Sequence, residues 1–332
     1  MTPPLAIATI VCRRVATNQP AKTTTVGWIG TGRMGLELCQ RLQKAGYDLA
    51  VYNRTKEKLA PLAEKGATVA DTPAKLADRD VVFTMVADPA AFLQVTEGPD
   101  GLFSVAGAAP KVLVDSSTVS ADVSERVRKL AAERGCALIA APVSGNPKVV
   151  KAGKLTVVAS GPEESFLLVR PILEEFGQGV AYVGEGDAAR LVKICHNLLL
   201  GIVTQTLAET AVLAEKAGVS RADYMGFINM SVMGSVFTRY KTPAIVNLDF
   251  TPTFTGHLLR KDFELGLEAG RSLDVPLPTA ALVHQLVVAM IGRAYGDEDF
   301  MRLLTVEAAA AGLTLTPENK HVSDGLSGDG SR

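Results

Sequence analysis

Two groups of residues in this sequence have the types and spacing of a reaction centre. The first is Gly30-Thr31-Gly32-Arg33-Met34-Gly35, whose glycines allow a tight turn, a close approach of backbone to a diphosphate and close helix packing. It follows a short apolar run and opens a segment of helical period, the setting in which a helix N-terminus offers N–H donors to a dinucleotide. The second is Lys193 with Asn197, an ammonium and an amide four residues apart and so on one helix face. Such a pair suits proton transfer to a carbonyl oxygen or from a hydroxyl. A third stretch, Asn53-Arg54-Thr55, ends the second apolar run, where an Asp or Glu would read the adenosine ribose of NAD(H). Asn53 lacks that charge, Arg54 matches a 2′-phosphate with its planar fork and Thr55 adds a hydroxyl, so the sequence predicts NADP(H) in preference to NAD(H).

The elements that must hold these groups follow from hydrophobic period. Strand-like runs are expected at 26–29, 49–52, 81–86, 112–115, 137–140 and 155–159, alternating with helical segments. In the first of those helices Leu38, Leu42 and Ala45 line one face before Gly46 ends it. Alternation of this kind predicts a Rossmann-type α/β domain, a doubly wound parallel sheet covered by helices on both faces. After Gly184 the strand signal disappears, and an all-helical domain is expected, opened by a long apolar helix from Ala188 to Lys216. The expected division is a loose extension over 1–25, the dinucleotide domain over 26–184, the helical domain over 185–312 and a frayed tail over 313–332.

Composition narrows the function classes. The 332 residues suit about two domains, and 47% hydrophobic with 21% charged residues is ordinary globular usage. Lys and Arg total 34 against 35 Asp and Glu, so no global basic field exists to hold a nucleic acid. The uncharged apolar runs fall short of the roughly 20 residues that span a bilayer, so no membrane partner is expected. Cys12, Cys39, Cys136 and Cys195 lack metal-ligand or disulfide spacing, which predicts no metal and a reducing compartment. A cytoplasmic protein is expected, or an organellar one should the acid-free residues 1–25 be a transit peptide.

Three further stretches complete the pattern: Asp115-Ser116-Ser117-Thr118-Val119, Ser144-Gly145-Asn146, and Phe254 with Lys261-Asp262. With the glycine fingerprint and the Lys193/Asn197 pair, their order resembles the β-hydroxyacid dehydrogenase family, the group of 3-hydroxyisobutyrate dehydrogenase, tartronate semialdehyde reductase and the glyoxylate/succinic semialdehyde reductases. The resemblance covers about 26–312. It implies an NAD(P)-dependent dehydrogenase or reductase of small β-hydroxy acids or their semialdehydes; a homodimer or homotetramer is expected because the long apolar helix from Ala188 has more buried-type surface than one small helical domain covers. It implies that Gly30, Thr31, Gly32, Arg33, Met34, Gly35, Asn53, Arg54, Thr55, Val86, Thr118 and Lys261 meet the cofactor. Ser144, Gly145, Asn146, Phe254 and Asp262 would meet the substrate, with Lys193 as general acid and Asn197 orienting it.

Two positions depart from the family's habit. Asn146 stands where a Gly is common, and reads either as a substrate-sensing amide or as a neutral loop change. His196 stands where an Asn is common, about one-quarter turn round the helix from Asn197, and reads as a packed or surface residue in preference to a catalytic one; Cys195 and His196, as neighbours on a helix, do not face each other, so they form no nucleophile pair. An imine reductase of the same build is the rival enzyme class, although those enzymes usually replace the Lys at position 193. A non-catalytic NADP-binding module is the rival from outside enzymology, and the intact Lys193, Asn197 and Asp262 argue against it.

Overall fold

The computed structural model describes residues 23–326, so most of the expected N-terminal extension lies outside the described residues. The chain divides into two compact units between Arg190 and Leu191.

In the first unit, six strands form one parallel sheet: β1 (Thr25–Ile29), β2 (Asp48–Tyr52), β3 (Thr68–Val69), β4 (Val81–Thr84), β5 (Val112–Asp115) and β6 (Ala137–Ala140). Their order, β3-β2-β1-β4-β5-β6, is the doubly wound Rossmann order. Each of β1, β4 and β5 is apolar along nearly its whole length because a parallel sheet is buried on both faces. The helices α1 (Arg33–Lys44), α2 (Ala60–Ala63), α3 (Pro89–Glu97) and α4 (Ala121–Glu133) connect these strands. Inside, Trp28 stacks on Phe83 at a centroid distance of 5.1 Å and meets the edge of Phe176.

The run at 155–159 is a strand but leaves the main sheet. It forms a second sheet with two further strands, in the order β7 (Val143–Ser144), β8 (Leu155–Ala159), β9 (Gly177–Tyr182). The β7/β8 pair is antiparallel and β8/β9 parallel. The helices α5 (Pro147–Lys151) and α6 (Glu163–Glu174) lie between these strands in sequence. Sequence reading misses β3 and β7, which are two residues long, and β9, whose Gly177 and Gly179 dilute the apolar pattern.

The remaining helices are α7 (Ala188–Lys216), α8 (Arg221–Met230), α9 (Val236–Asn247), α10 (Gly256–Ser272), α11 (Pro278–Met290) and α12 (Leu303–Ala310). Among the described residues α7 alone is long and apolar enough to cross a bilayer, against the expectation drawn from its short uncharged runs. Only 39% of its apolar window is buried, on the side that carries Asn197, Thr204 and Gln205, while Leu199 and Leu213 are exposed. One apolar cluster joins Leu198, Leu259, Phe263, Val283, Val287 and Phe300. A second gathers Ala208, Ala211, Met225, Ile245 and Leu304.

Residues 313–326 carry no helix or strand, yet they are not the frayed end that the sequence predicts. Leu313, Leu315 and Val322 pack on the second cluster. Glu318 accepts from the backbone N–H groups of Arg221 and Ala222 at the start of α8, and the Arg221 guanidinium donates to Thr316 O. Arg221 is itself fully buried, so this segment supplies acceptors that a buried cation requires.

Candidate active site

The glycine turn between β1 and α1 is built for close approach. Gly30 has φ +98°, and a Cβ on it would overlap Met85 O; a Cβ on Gly35 would overlap Gly30 O. The Trp28 indole Nε1 donates to Gly30 O at 2.9 Å and pins the turn from below. At Gly32 a Cβ would meet nothing within 4 Å, and no side-chain hydrogen bond caps the 12-residue helix α1 there. Thr31 is buried, with its Oγ1 unpartnered among the described residues. These are the features a bound diphosphate would use, and the residues fit a dinucleotide.

Asn53 has an internal task. Its Oδ1 accepts from Thr31 N at 3.0 Å and its Nδ2 donates to Thr55 O at 2.9 Å, tying the end of β2 to the glycine turn. Arg54 and Thr55 are exposed beside it. On the other side of β1, Val86 N donates to Ser117 Oγ at 2.9 Å, one residue before half-buried Thr118.

That loop is held by a buried polar network missed in the sequence. Asp115 Oδ1 accepts from Thr84 Oγ1 at 2.6 Å and from Ser117 N at 3.2 Å. Its Oδ2 accepts from the Arg190 guanidinium at 2.8 Å, and Arg190 also donates to Ser117 O at 3.0 Å and Ser124 Oγ at 2.9 Å. Arg190 and Asp115 are both buried, so each supplies the charge and hydrogen bonds that make the other's burial tolerable. Arg190 sits in the first turn of α7, and the only sequence signal was one Arg in an apolar run.

In the turn from β7 to α5, Gly145 has φ +142° and a Cβ would lie 2.7 Å from Leu155, which restricts the position to glycine. Ser144 is half-buried. Asn146 Oδ1 accepts from Val149 N at 3.1 Å and caps α5. Its Nδ2 is buried and unpartnered among the described residues. The residue therefore has both a structural half and an unused donor.

In the second unit, Lys193 Nζ donates to Asn197 Oδ1 at 2.9 Å, and Asn197 Nδ2 donates to Asp262 Oδ2 at 2.5 Å. Asn197 and Asp262 are buried, and Lys193 is half-buried along its stem. Desolvation of the ammonium lowers the Lys193 pKa to about 8, against the opposing pull of Asp262. Burial raises the Asp262 carboxyl above its ordinary value, while Lys261, Asn197 and Lys193 act in the other direction. Half-buried Phe254 meets the Phe300 ring edge-on at 5.9 Å.

Two glycines bring α7 and α10 close enough for the Asn197–Asp262 bond. Gly201 lies one turn beyond Asn197, and a Cβ there would overlap the ring of Phe263. Gly266 lies one turn beyond Asp262, and a Cβ would sit 2.7 Å from Leu198. Glycine inside a helix costs roughly 1 kcal/mol relative to Ala, and that cost was the signal in the sequence that backbones approach here. His196 is half-buried, and although it stands a quarter turn from Asn197 its Nδ1 reaches to 2.9 Å from Asn197 Oδ1.

Residues 25–184 match the model of the NAD binding domain of 6-phosphogluconate dehydrogenase. Residues 186–306 match that of the NAD-binding domain of NADP-dependent 3-hydroxyisobutyrate dehydrogenase. The chain belongs to the β-hydroxyacid dehydrogenase family. Among its relatives is 2-(hydroxymethyl)glutarate dehydrogenase of Eubacterium barkeri, 32% identical over 89% of this chain and 98% of the relative. Another is the probable 3-hydroxyisobutyrate dehydrogenase-like 1, mitochondrial, of Arabidopsis thaliana, 32% identical over 85% and 84%. The crystal structure of 3-hydroxyisobutyrate dehydrogenase from Salmonella typhimurium superposes with a TM-score of 0.76 at 25% identity, covering 85% of this chain and 99% of that one. As a β-hydroxyacid dehydrogenase, the protein is an NAD(P)-dependent oxidoreductase acting on CH–OH groups, with a Rossmann domain followed by a helical domain.

Proposed function

We propose that the protein is an NADP(H)-preferring reductase of small semialdehydes, working reversibly on the matching β-hydroxy acids, with Lys193 as the proton donor. The observation that carries this reading is the Lys193–Asn197–Asp262 chain, in which a desolvated ammonium has its pKa lowered to about 8 and is held by a fixed amide. A donor with a pKa near the working pH is the form general acid catalysis needs.

The nicotinamide ring, when bound, supplies the hydride that adds to the carbonyl carbon. Lys193 Nζ gives its proton to the carbonyl oxygen as charge develops there, and is left neutral. Asn197 Oδ1 holds the ammonium in place, and Asp262 holds Asn197. The glycine turn from Gly30 to Gly35, with Thr31, Arg33 and Met34, takes the diphosphate at the N-terminus of α1. Arg54, with Thr55, takes the 2′-phosphate, while Asn53 keeps that end of β2 against the turn. Val86, Thr118 and Lys261 belong to the nicotinamide side. Ser144, Gly145 and Asn146 offer hydroxyl, backbone and amide donors to the substrate carboxylate, a positioning effect; Phe254 supplies an apolar wall.

The enzyme works as a homodimer or homotetramer, a reading supported by exposed Leu199, Leu213, Phe227, Met230 and Met233. A cytoplasmic location is supported by scattered free cysteines, with an organelle as the alternative, since two relatives are named mitochondrial and one chloroplastic. The test is oxidation of NADPH and NADH with glyoxylate, succinic, tartronate and methylmalonate semialdehydes, and the reverse reaction with 3-hydroxyisobutyrate, L-threonate and L-serine. Turnover on one of these acids with NADPH preferred supports the reading. NADPH binding with silence on every acid, and turnover on a cyclic imine, overturns it in favour of imine reduction.

A further inference from the structure

We propose that His196 is a positioning residue for Lys193, acting through the Asn197 oxygen that both side chains contact. The proposal rests on the reading of Lys193 as proton donor. Lys193 Nζ and His196 Nδ1 each lie 2.9 Å from Asn197 Oδ1. The orientation of that amide is fixed from the far side: Asp262 Oδ2 accepts from Asn197 Nδ2, and an ammonium has only donors to offer Oδ1. Asn197 Oδ1 is therefore an acceptor towards both neighbours, and His196 must carry its proton on Nδ1.

This tautomer has a consequence for Lys193. A carbonyl oxygen has two lone pairs, and here one is directed to the ammonium and one to the imidazole N–H. The second donor draws electron density from Oδ1 and weakens its hold on the ammonium, while fixing the direction from which the ammonium is held. The charged groups acting on the pair are Lys193 on His196 and Asp262, on α10, on Lys193, with Lys261 acting on Asp262. Burial first, then the Lys193 charge, hold the His196 pKa below its ordinary value, and its hydrogen bond with Asn197 acts the other way. Burial thus favours the neutral ring, whose effect on Lys193 is that of an oriented N–H dipole.

The experiment compares the full-length enzyme with its H196F, H196L, H196N and K193A variants, alongside 15N NMR of the histidine rings in the parent. In H196F and H196L the N–H donor is lost. We expect kcat for reduction to fall about tenfold with the KM for NADPH unchanged, and the alkaline limb of the rate profile to rise by roughly half a pH unit, because Oδ1 then holds the ammonium more strongly. H196N returns an N–H donor, and restores kcat to within about threefold together with the limb. The parent's His196 ring shows the Nδ1–H tautomer. H196F and H196L with the parent's kcat and limb overturn the proposal, as does an Nε2–H tautomer, which decides alone should those variants not fold. An inactive K193A beside an unaltered H196F defeats only the role of His196; a K193A that keeps turnover defeats the reading of Lys193 and this proposal with it.

Discussion

Asn197 Nδ2 donates to Asp262 Oδ2 at 2.5 Å, and this one bond decides which way the amide of Asn197 faces. With its NH2 committed to a carboxylate, the amide presents only Oδ1 to Lys193. A buried carboxylate, a buried amide and a desolvated ammonium thus form a chain in which each group satisfies the next. Asp262 lends the ammonium partial compensation without pairing with it directly, which leaves the Lys193 pKa lowered to about 8.

Removing the ammonium separates chemistry from binding. Lys193→Ala is expected to lower kcat for reduction by about 10²–10⁴-fold, the usual worth of a positioned general acid, while the dissociation constant for NADPH changes by less than about threefold. Stopped-flow turnover with fluorescence titration of NADPH measures both. A variant with the parent's kcat removes Lys193 from the reaction.

The sign of the pH dependence follows from the same group. With Lys193 as the proposed proton donor, reduction is expected to run at its full rate below pH 7 and to fall as pH rises through about 8. Oxidation of the hydroxy acid needs the neutral amine and rises through the same range. Rate profiles in both directions between pH 6 and 10 test this, and parallel slopes for the two directions contradict it.

In the proposed reading cofactor choice turns on Arg54, because Asn53 uses both amide atoms inside the protein. Arg54→Ala is expected to weaken NADPH binding by roughly 10–100-fold, as for loss of one charged hydrogen-bonding group, and to leave NADH within about twofold. Equal losses for both cofactors would show that Arg54 does not read the 2′-phosphate.

Much of this was legible in the sequence, for physical reasons that differ by element. The runs at 112–115, 137–140 and 155–159 are strands at those limits, and the Ala188–Lys216 helix has those ends, because uninterrupted apolar period leaves little freedom. The glycine fingerprint was readable because three backbone constraints fall on three fixed residues. What was not legible depends on long-range contact. Nothing local to Arg190 shows that Asp115, 75 residues earlier, receives it. The unperiodic residues 313–326 look loose until buried Arg221 is seen to need Thr316 O. The contact of His196 with Asn197 was not legible because helix geometry gives where a Cβ points and not how far a side chain reaches sideways.

Asn146 has two roles that different substitutions separate. Asn146→Ala removes the cap of α5 and is expected to cost about 1 kcal/mol of stability, read by urea denaturation. Asn146→Asp keeps an oxygen for Val149 N but replaces the buried Nδ2 donor with a second acceptor. It keeps the cap but buries an unpaired charge, so it is expected to cost more than about 1 kcal/mol of stability, while raising the KM for a carboxylate substrate tenfold or more through like-charge repulsion, on the order of 1.4 kcal/mol. An Asp variant with the parent's KM would confine Asn146 to capping.

The closeness of α7 and α10 can be tested without touching a polar group. In Gly201→Ala the new methyl would overlap the Phe263 ring, which is fully buried and has nowhere to go, so the helices must part. Overpacking of this kind costs about 1–3 kcal/mol. Parting also lengthens the Asn197–Asp262 bond and loosens the hold on Lys193, so kcat is expected to fall by about tenfold or more. Gly226→Ala, in α8, is the matched control: its Cβ meets nothing within 4 Å, and Ala there should stabilise by up to about 1 kcal/mol with activity unchanged. Thermal unfolding and steady-state kinetics on the pair decide the matter. If Gly201→Ala gains stability as Gly226→Ala does and keeps its kcat, then close backbone approach is not what sets the geometry at Lys193.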